Sequence, residues 1–119
     1  MDNNLFTPKG NWDSHKILLY IALMDTNSSS APILELGCGE GSSPTLQSYV
    51  KDNHRELISY DFSEEWALKY GAHVVKDWDT AVDWNKKYSV ALVDESPGEQ
   101  RHLSLMLLLL LCYFTFFAF

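Results

Sequence analysis

Basic residues are scarce in this 119-residue chain: nine Lys and Arg stand against sixteen Asp and Glu, a formal net charge of −7. Gripping a phosphate backbone takes clustered Lys and Arg, and the longest basic run here is Lys86-Lys87, so nucleic acid is disfavoured as a partner. Cysteine is scarcer still. Cys38 and Cys112 lie far apart in different settings, with neither a disulfide framework nor a zinc spacing, which suits a reducing, cytoplasmic compartment. The histidines (His15, His54, His73 and His102) never pair at metal-ligand spacing, and no metal site is expected. Met1-Asp2-Asn3-Asn4 lacks the basic and apolar regions of a secretory signal. The length allows one domain at most.

What is present is concentrated in Pro32-Ile33-Leu34-Glu35-Leu36-Gly37-Cys38-Gly39-Glu40-Gly41-Ser42-Ser43-Pro44. It reads as a buried strand, a glycine-rich turn and a helix start, the arrangement found at the first strand of nucleotide-binding α/β sheets. A backbone without Cβ atoms at Gly37, Gly39 and Gly41 lets a flat ligand come close to the main chain. No Gly-Lys-Ser/Thr follows the turn, which excludes a P-loop. A dinucleotide fingerprint needs a third glycine where Ser42 stands. Glu35 and Glu40 would repel a pyrophosphate and favour a cationic ligand, so a nucleoside carrying positive charge suits the loop better than NAD.

Around this run the chain alternates between strand and helix patterns. Residues 1–12 read as an arm. Asp13 or Ser14 caps a helix through Asp25 with Ile17, Leu18, Ile21 and Leu23 as its apolar residues. Ser43 and Pro44 fit the cap and first turn of a second helix, whose face toward the sheet is Leu46, Tyr49 and Val50. Strands are expected at residues 32–36, 57–61, 72–76 and 88–94. Ser63 and Gly71 bound a helix between the second and third strands, and a short helix follows around Thr80 to Lys86. This order predicts a parallel sheet with right-handed crossovers, an α/β fold of doubly wound, Rossmann-like type. Glu35, Asp61, Asp77 and Asp94 all fall at or near strand ends, which in such a sheet line one crevice.

With the loop and these acids in order, residues 13–102 resemble the class I S-adenosylmethionine-dependent methyltransferases. Glu35-Leu36-Gly37-Cys38-Gly39-Glu40-Gly41 is similar to that family's first motif, beside the methionine part of the cofactor. The resemblance implies that Asp61 grips the ribose hydroxyls, that Phe62 lies against the adenine, that Asp77 accepts from the adenine amino group with Trp78 closing the pocket, and that Asp94 faces the transferable methyl. It implies S-adenosylmethionine as cofactor and methyl transfer as the activity; it does not assign the acceptor, for which a small molecule or glycan-type compound is the expectation. Val93-Asp94-Glu95-Ser96-Pro97-Gly98-Glu99-Gln100-Arg101 resembles a subgroup with Asp-x-x-Pro-Gly-Glu-x-Arg here, and lacks the Asp/Asn-Pro-Pro-Tyr/Phe signature of amino-methylating nucleic-acid enzymes. No catalytic base is assigned; by position Asp94 is the first candidate. The alternative is a non-catalytic S-adenosylmethionine-binding or interaction module.

Leu103 to Phe119 carries no charged residue. Three readings stand: a buried helix followed by a last strand, a membrane tail at the low end of the ~17–25 residues a span needs, or an altered end. The first geometry with the third explanation is expected. It gives about five strands, without the last two of the family's usual seven, and a terminal apolar edge open to self-association. Membrane association through 103–119 is the alternative localisation.

Overall fold

A computed structural model describes residues 5–8 and 16–93, together with the backbone of a strand at 115–118. The elements in order are α1 (Lys16–Asp25), β1 (Ile33–Leu36), α2 (Ser43–Asn53), β2 (Leu57–Asp61), α3 (Glu64–Tyr70), β3 (His73–Val74), α4 (Trp78–Ala81), β4 (Val90–Val93) and β5 (Thr115–Ala118). The sheet runs β3-β2-β1-β4-β5, and each pairing is parallel. The fold is α/β, and its strand order is compatible with a Rossmann-like sheet, in which the chain reverses direction beside β1. Asp94 and the apolar residues 103–114 lie outside the described residues, while β5 falls within the last strand expected at the end of that run. Among the described residues no helix is long and apolar enough to cross a membrane.

Alternation along the strands divides the core in two. Ile33, Val90 and Leu92 pack with Leu19, Leu23, Leu46 and Tyr49 of α1 and α2. Leu34, Leu36, Ala91 and Val93 face the other way, against Val75, Trp78, Val82 and Tyr88 around α4. Helices therefore cover both faces, and β1 and β4 are buried throughout, as parallel strands require.

Several local expectations need correction. Of the apolar residues expected to face the core from α1, Leu23 is buried but Ile17, Leu18 and Ile21 are exposed, and Leu19 and Ala22 are buried in their place. The arm at 1–12 is no free tail where it is described: Phe6 is buried against Tyr20 and Tyr49. Ser42, one residue earlier than expected, stands at the N-cap position of α2 without a side-chain cap bond, its hydroxyl turned to Glu35. The helix expected at 80–86 sits at Trp78–Ala81, because Asp77 accepts from the Thr80 N–H and starts it early. β3 is two residues rather than five.

The end of α3 follows the sequence closely. Ser63 accepts from the Trp66 N–H at its start, and Gly71 closes it in a left-handed conformation at φ 67°. Gly71→Ala should lower the unfolding free energy by about 1 kcal/mol through this positive φ; urea denaturation measures it, and no loss would contradict the αL cap.

Candidate functional site

The glycine turn leaves β1 at Leu36 and enters α2 at Ser43. Gly37 has φ 96°, a region open to glycine and closed to most side chains, and its N–H donates to the Tyr60 carbonyl at 2.8 Å. Gly39 differs: its φ is not positive, and among the described residues a Cβ there would meet nothing within 4 Å. The described fold gives no reason for glycine at this position. Gly41 is buried at the helix entry, and Glu40 is exposed.

Asp61 ends β2 directly beside this turn. Its Oδ2 accepts the Cys38 N–H at 2.7 Å, and its Oδ1 accepts the Ser63 N–H at 2.7 Å. One carboxylate thus joins the glycine turn to the entry of α3 while remaining half-buried. The structure brings together the turn, Asp61 and the residues that follow it. Phe62 lies 4.3 Å from Trp78, centroid to centroid and tilted by 42°. Trp78 is buried with its indole N–H unpartnered among the described residues.

Glu35 does not stand on the rim beside Asp61. It is fully buried on the α2 side of the sheet, its carboxylate enclosed by serine hydroxyls. Ser42 and Ser43 donate to Oε2 at 2.7 and 3.0 Å, and Ser59 donates to Oε1 at 2.8 Å. Burial pushes the Glu35 carboxyl above its ordinary value, against the opposing pull of the hydroxyls, and the Asp61 charge adds to the rise. The same surroundings push the Cys38 thiol up to about 12, burial first and the Glu35 charge second, which leaves it a poor nucleophile at neutral pH.

Asp77 is exposed, and its Oδ1 accepts both the backbone N–H and the hydroxyl of Thr80 at 2.9 and 3.0 Å. These bonds hold it below the usual carboxylate range. Its neighbour Trp78 carries it toward the Phe62 cluster, but its own described bonds are those of a helix cap. Asp94 lies outside the described residues. A cleft of about 300 Å³ between α2 and α3 is lined by Gln47, Val50, Leu57, Ser59 and Tyr70 among others; no residue of the glycine turn lines it.

Sequence reasoning missed Ser42, Ser43 and Ser59 as partners of Glu35. The signal that could have found them is the register, which sets Glu35 directly beside Ser59, two polar residues on an inward face where apolar ones are the rule. Among the described residues, no cluster of His, Cys, Asp or Glu could hold a metal ion. Comparison with family models, with curated proteins and with solved structures finds no match to this chain.

Proposed function

We propose that the chain binds S-adenosylmethionine at the C-terminal ends of β1 and β2 and transfers its methyl group to a small-molecule or glycan-type acceptor, in a sheet of class I methyltransferase type. The observation that carries this reading is the contact between Asp61 and the Cys38 N–H, which joins a ribose-type acid to a glycine turn where no described residue comes within 4 Å of a Cβ placed on Gly39. The residues present fit the cofactor. Asp61 supplies negative charge near a cationic ligand, Phe62 and Trp78 offer aromatic surface, and the buried Trp78 N–H is a donor without a partner among the described residues.

When bound, S-adenosylmethionine supplies a methyl already activated as a sulfonium. The residues of this chain then bind and orient, which accounts for most of the gain in such a transfer. Asp61 accepts from ribose hydroxyls through its remaining lone pairs, and Phe62 packs on the adenine. Gly39 leaves the backbone clear, and Asp94 is the residue carried over toward the methyl.

Isothermal titration calorimetry on the full chain tests the reading. Saturable binding of S-adenosylmethionine and none of NAD is expected; the reverse preference, or no binding of S-adenosylmethionine, would overturn it. Release of S-adenosylhomocysteine with an acceptor reports the transfer itself. Gly39→Ala is the sharper probe. It should leave the unfolding free energy within about 1 kcal/mol of the parent and weaken S-adenosylmethionine at least about tenfold, because the new methyl enters space kept for the ligand. Unchanged affinity in this variant would place the ligand elsewhere.

A further inference from the structure

We propose that the cleft between α2 and α3 is a binding site for a small primary amine, taken as its ammonium ion against Ser59 and the buried Glu35 carboxylate behind it. Among the described residues, none from the glycine turn lines this cleft. The site is therefore separate from the one assigned to S-adenosylmethionine and does not depend on that reading.

The cleft encloses about 300 Å³, at the lower end of the range that small-molecule sites occupy. Strand alternation makes its floor. Leu57 and Ser59 are two residues apart on β2 and share one face of the sheet, where Leu57 packs against the core that α1 and α2 cover. Val50 of α2 adds a second apolar side chain, and Tyr70, the last residue of α3, adds an aromatic one. Gln47 bridges the two helices: its Nε2 donates to the Tyr70 carbonyl at 2.6 Å. That bond fixes which way the amide points, and its Oε1 remains an acceptor.

Ser59 gives the cleft its polarity. Its one hydroxyl hydrogen is committed to Glu35 Oε1 at 2.8 Å, so toward the cleft its oxygen is an acceptor. An ammonium is the complementary group, with three N–H donors and no lone pair. A carboxylate or a phosphate would bring only acceptors to the same oxygens. The apolar side chains of Leu57 and Val50 and the Tyr70 ring suit a hydrocarbon or aromatic body on the amine.

The charge beneath selects a cation over a neutral donor. Glu35 is fully buried, and around its carboxyl stand the hydroxyls of Ser42, Ser43 and Ser59, the Cys38 thiol and the Asp61 charge. No cation is among them, and burial pushes the carboxyl above its ordinary value. A buried carboxylate without a counter-ion is unfavourable, and a positive charge one hydroxyl away offsets part of that. Neither lysine nor arginine lines the cleft among the described residues. Lys69 on α3 is engaged with Glu40 at 3.4 Å, and His73 at the rim packs with its ring centre 5.3 Å from that of Tyr60. The place for a positive charge beside Ser59 is left to a ligand. Such a ligand favours the ionised Glu35, and the ionised Glu35 keeps the Ser59 hydrogen turned inward.

The test is a methyl NMR titration of the full chain at about pH 8, which favours the ionised form of a raised carboxyl. Three probes of one shape are compared: phenethylammonium, neutral phenethyl alcohol and anionic hydrocinnamate. The Leu57 and Val50 methyls should shift and saturate with phenethylammonium at a dissociation constant of about 1 mM, the scale of so small a ligand. Phenethyl alcohol should bind at least about tenfold more weakly, and hydrocinnamate should leave these methyls unmoved. In Glu35→Gln the ammonium should fall to the affinity of the alcohol, with the alcohol unchanged and the core methyls of Ile33 and Val90 in their parental positions. Val50→Phe fills the cleft and keeps Glu35, so it serves if Glu35→Gln does not fold; there the Leu57 methyls should respond to none of the probes. Equal affinity for alcohol and ammonium, a preference for hydrocinnamate, no saturable shift, or parental ammonium binding in either variant would overturn the proposal. S-adenosylmethionine enters none of these measurements, so the failure of one reading leaves the other standing.

Discussion

Replacing Arg55 with leucine should lower the unfolding free energy by about 3 kcal/mol, the largest stability effect expected of a single surface-edge residue in this chain. Arg55 lies two residues before β2, and its guanidinium ties together three segments that meet at the N-terminal edge of the sheet. Nη1 donates to the Leu23 carbonyl at 3.3 Å and to the Tyr49 hydroxyl at 3.1 Å. Nη2 donates to Ser89 Oγ at 2.7 Å and to Thr26 Oγ1 at 3.4 Å. The guanidinium also stands 5.7 Å from the centre of the Tyr49 ring. Leu23 and Thr26 lie at the C-terminal end of α1, where a positive charge meets the negative end of the helix dipole. Charged hydrogen bonds contribute about 1.5–3 kcal/mol each when intact, but these are only part-buried and Nε is buried without a partner among the described residues, so their sum stays well below the arithmetic maximum. Arg55→Lys should recover part of the loss, because an ammonium keeps the charge and lacks the fork. Urea denaturation measures both; a loss under about 1 kcal/mol for leucine would mean the clamp is solvated rather than structural.

β1 and β2 are legible in the sequence, whereas β3 and β4 are shorter than their patterns suggest. Ile33–Leu36 and Leu57–Asp61 are short apolar runs bounded by turn residues, and their limits in the structure match the pattern within a residue. The caps of α3 were equally plain, since Ser63 and Gly71 act through their own backbone neighbourhoods. α1 was less readable for a physical reason. Lys-Ile-Leu-Leu-Tyr-Ile-Ala-Leu-Met-Asp is apolar on every side, so spacing cannot say which side meets the sheet; contact with β4 and the packing of Phe6 decide it. The short helix begins ahead of the expected Thr80 because Asp77 accepts from the Thr80 N–H three residues on and so acts as its cap. The chain then turns at Val82, and Trp84 donates its indole N–H back to the Trp78 carbonyl at 3.1 Å, which ends the helix where periodicity alone would continue it.

The acids divide by the same logic. Asp61 sits at the last position of an apolar strand, and a terminal acid in a parallel sheet emerges at the ligand crevice. Glu35 lies one residue inside its strand, and a single residue reverses the direction of a side chain. It therefore points into the layer beneath α2, where only the partners brought by β2 and by the start of α2 make its charge tolerable. Those partners are serines up to 24 positions away in sequence, and short polar residues read locally as loop or cap. The network belongs to the tertiary structure and appears in the sequence only as an acid facing a serine across two strands.

Asp61→Ala should weaken S-adenosylmethionine by about 1.5–3 kcal/mol, roughly 10- to 150-fold in affinity, the scale of a lost charged hydrogen bond. The carboxylate has two tasks in the structure, and the variant removes both. It no longer accepts from ribose hydroxyls, and it frees the Cys38 and Ser63 N–H groups that it holds at 2.7 Å. Asp61→Asn separates them. One amide oxygen can take a single backbone N–H, while the NH₂ group opposes the other, so either the turn or the entry of α3 loses its acceptor. If the ligand contact dominates, Asn and Ala should bind S-adenosylmethionine equally poorly while Asn retains more of the parental unfolding free energy. If positioning of the turn dominates, affinity and stability should fall together, and the Gly39 amide should shift in both variants before any ligand is added. Calorimetry beside urea denaturation distinguishes these cases. Parental affinity in a folded Asp61→Ala protein would remove Asp61 from the binding site, and with it the contact on which the cofactor reading stands.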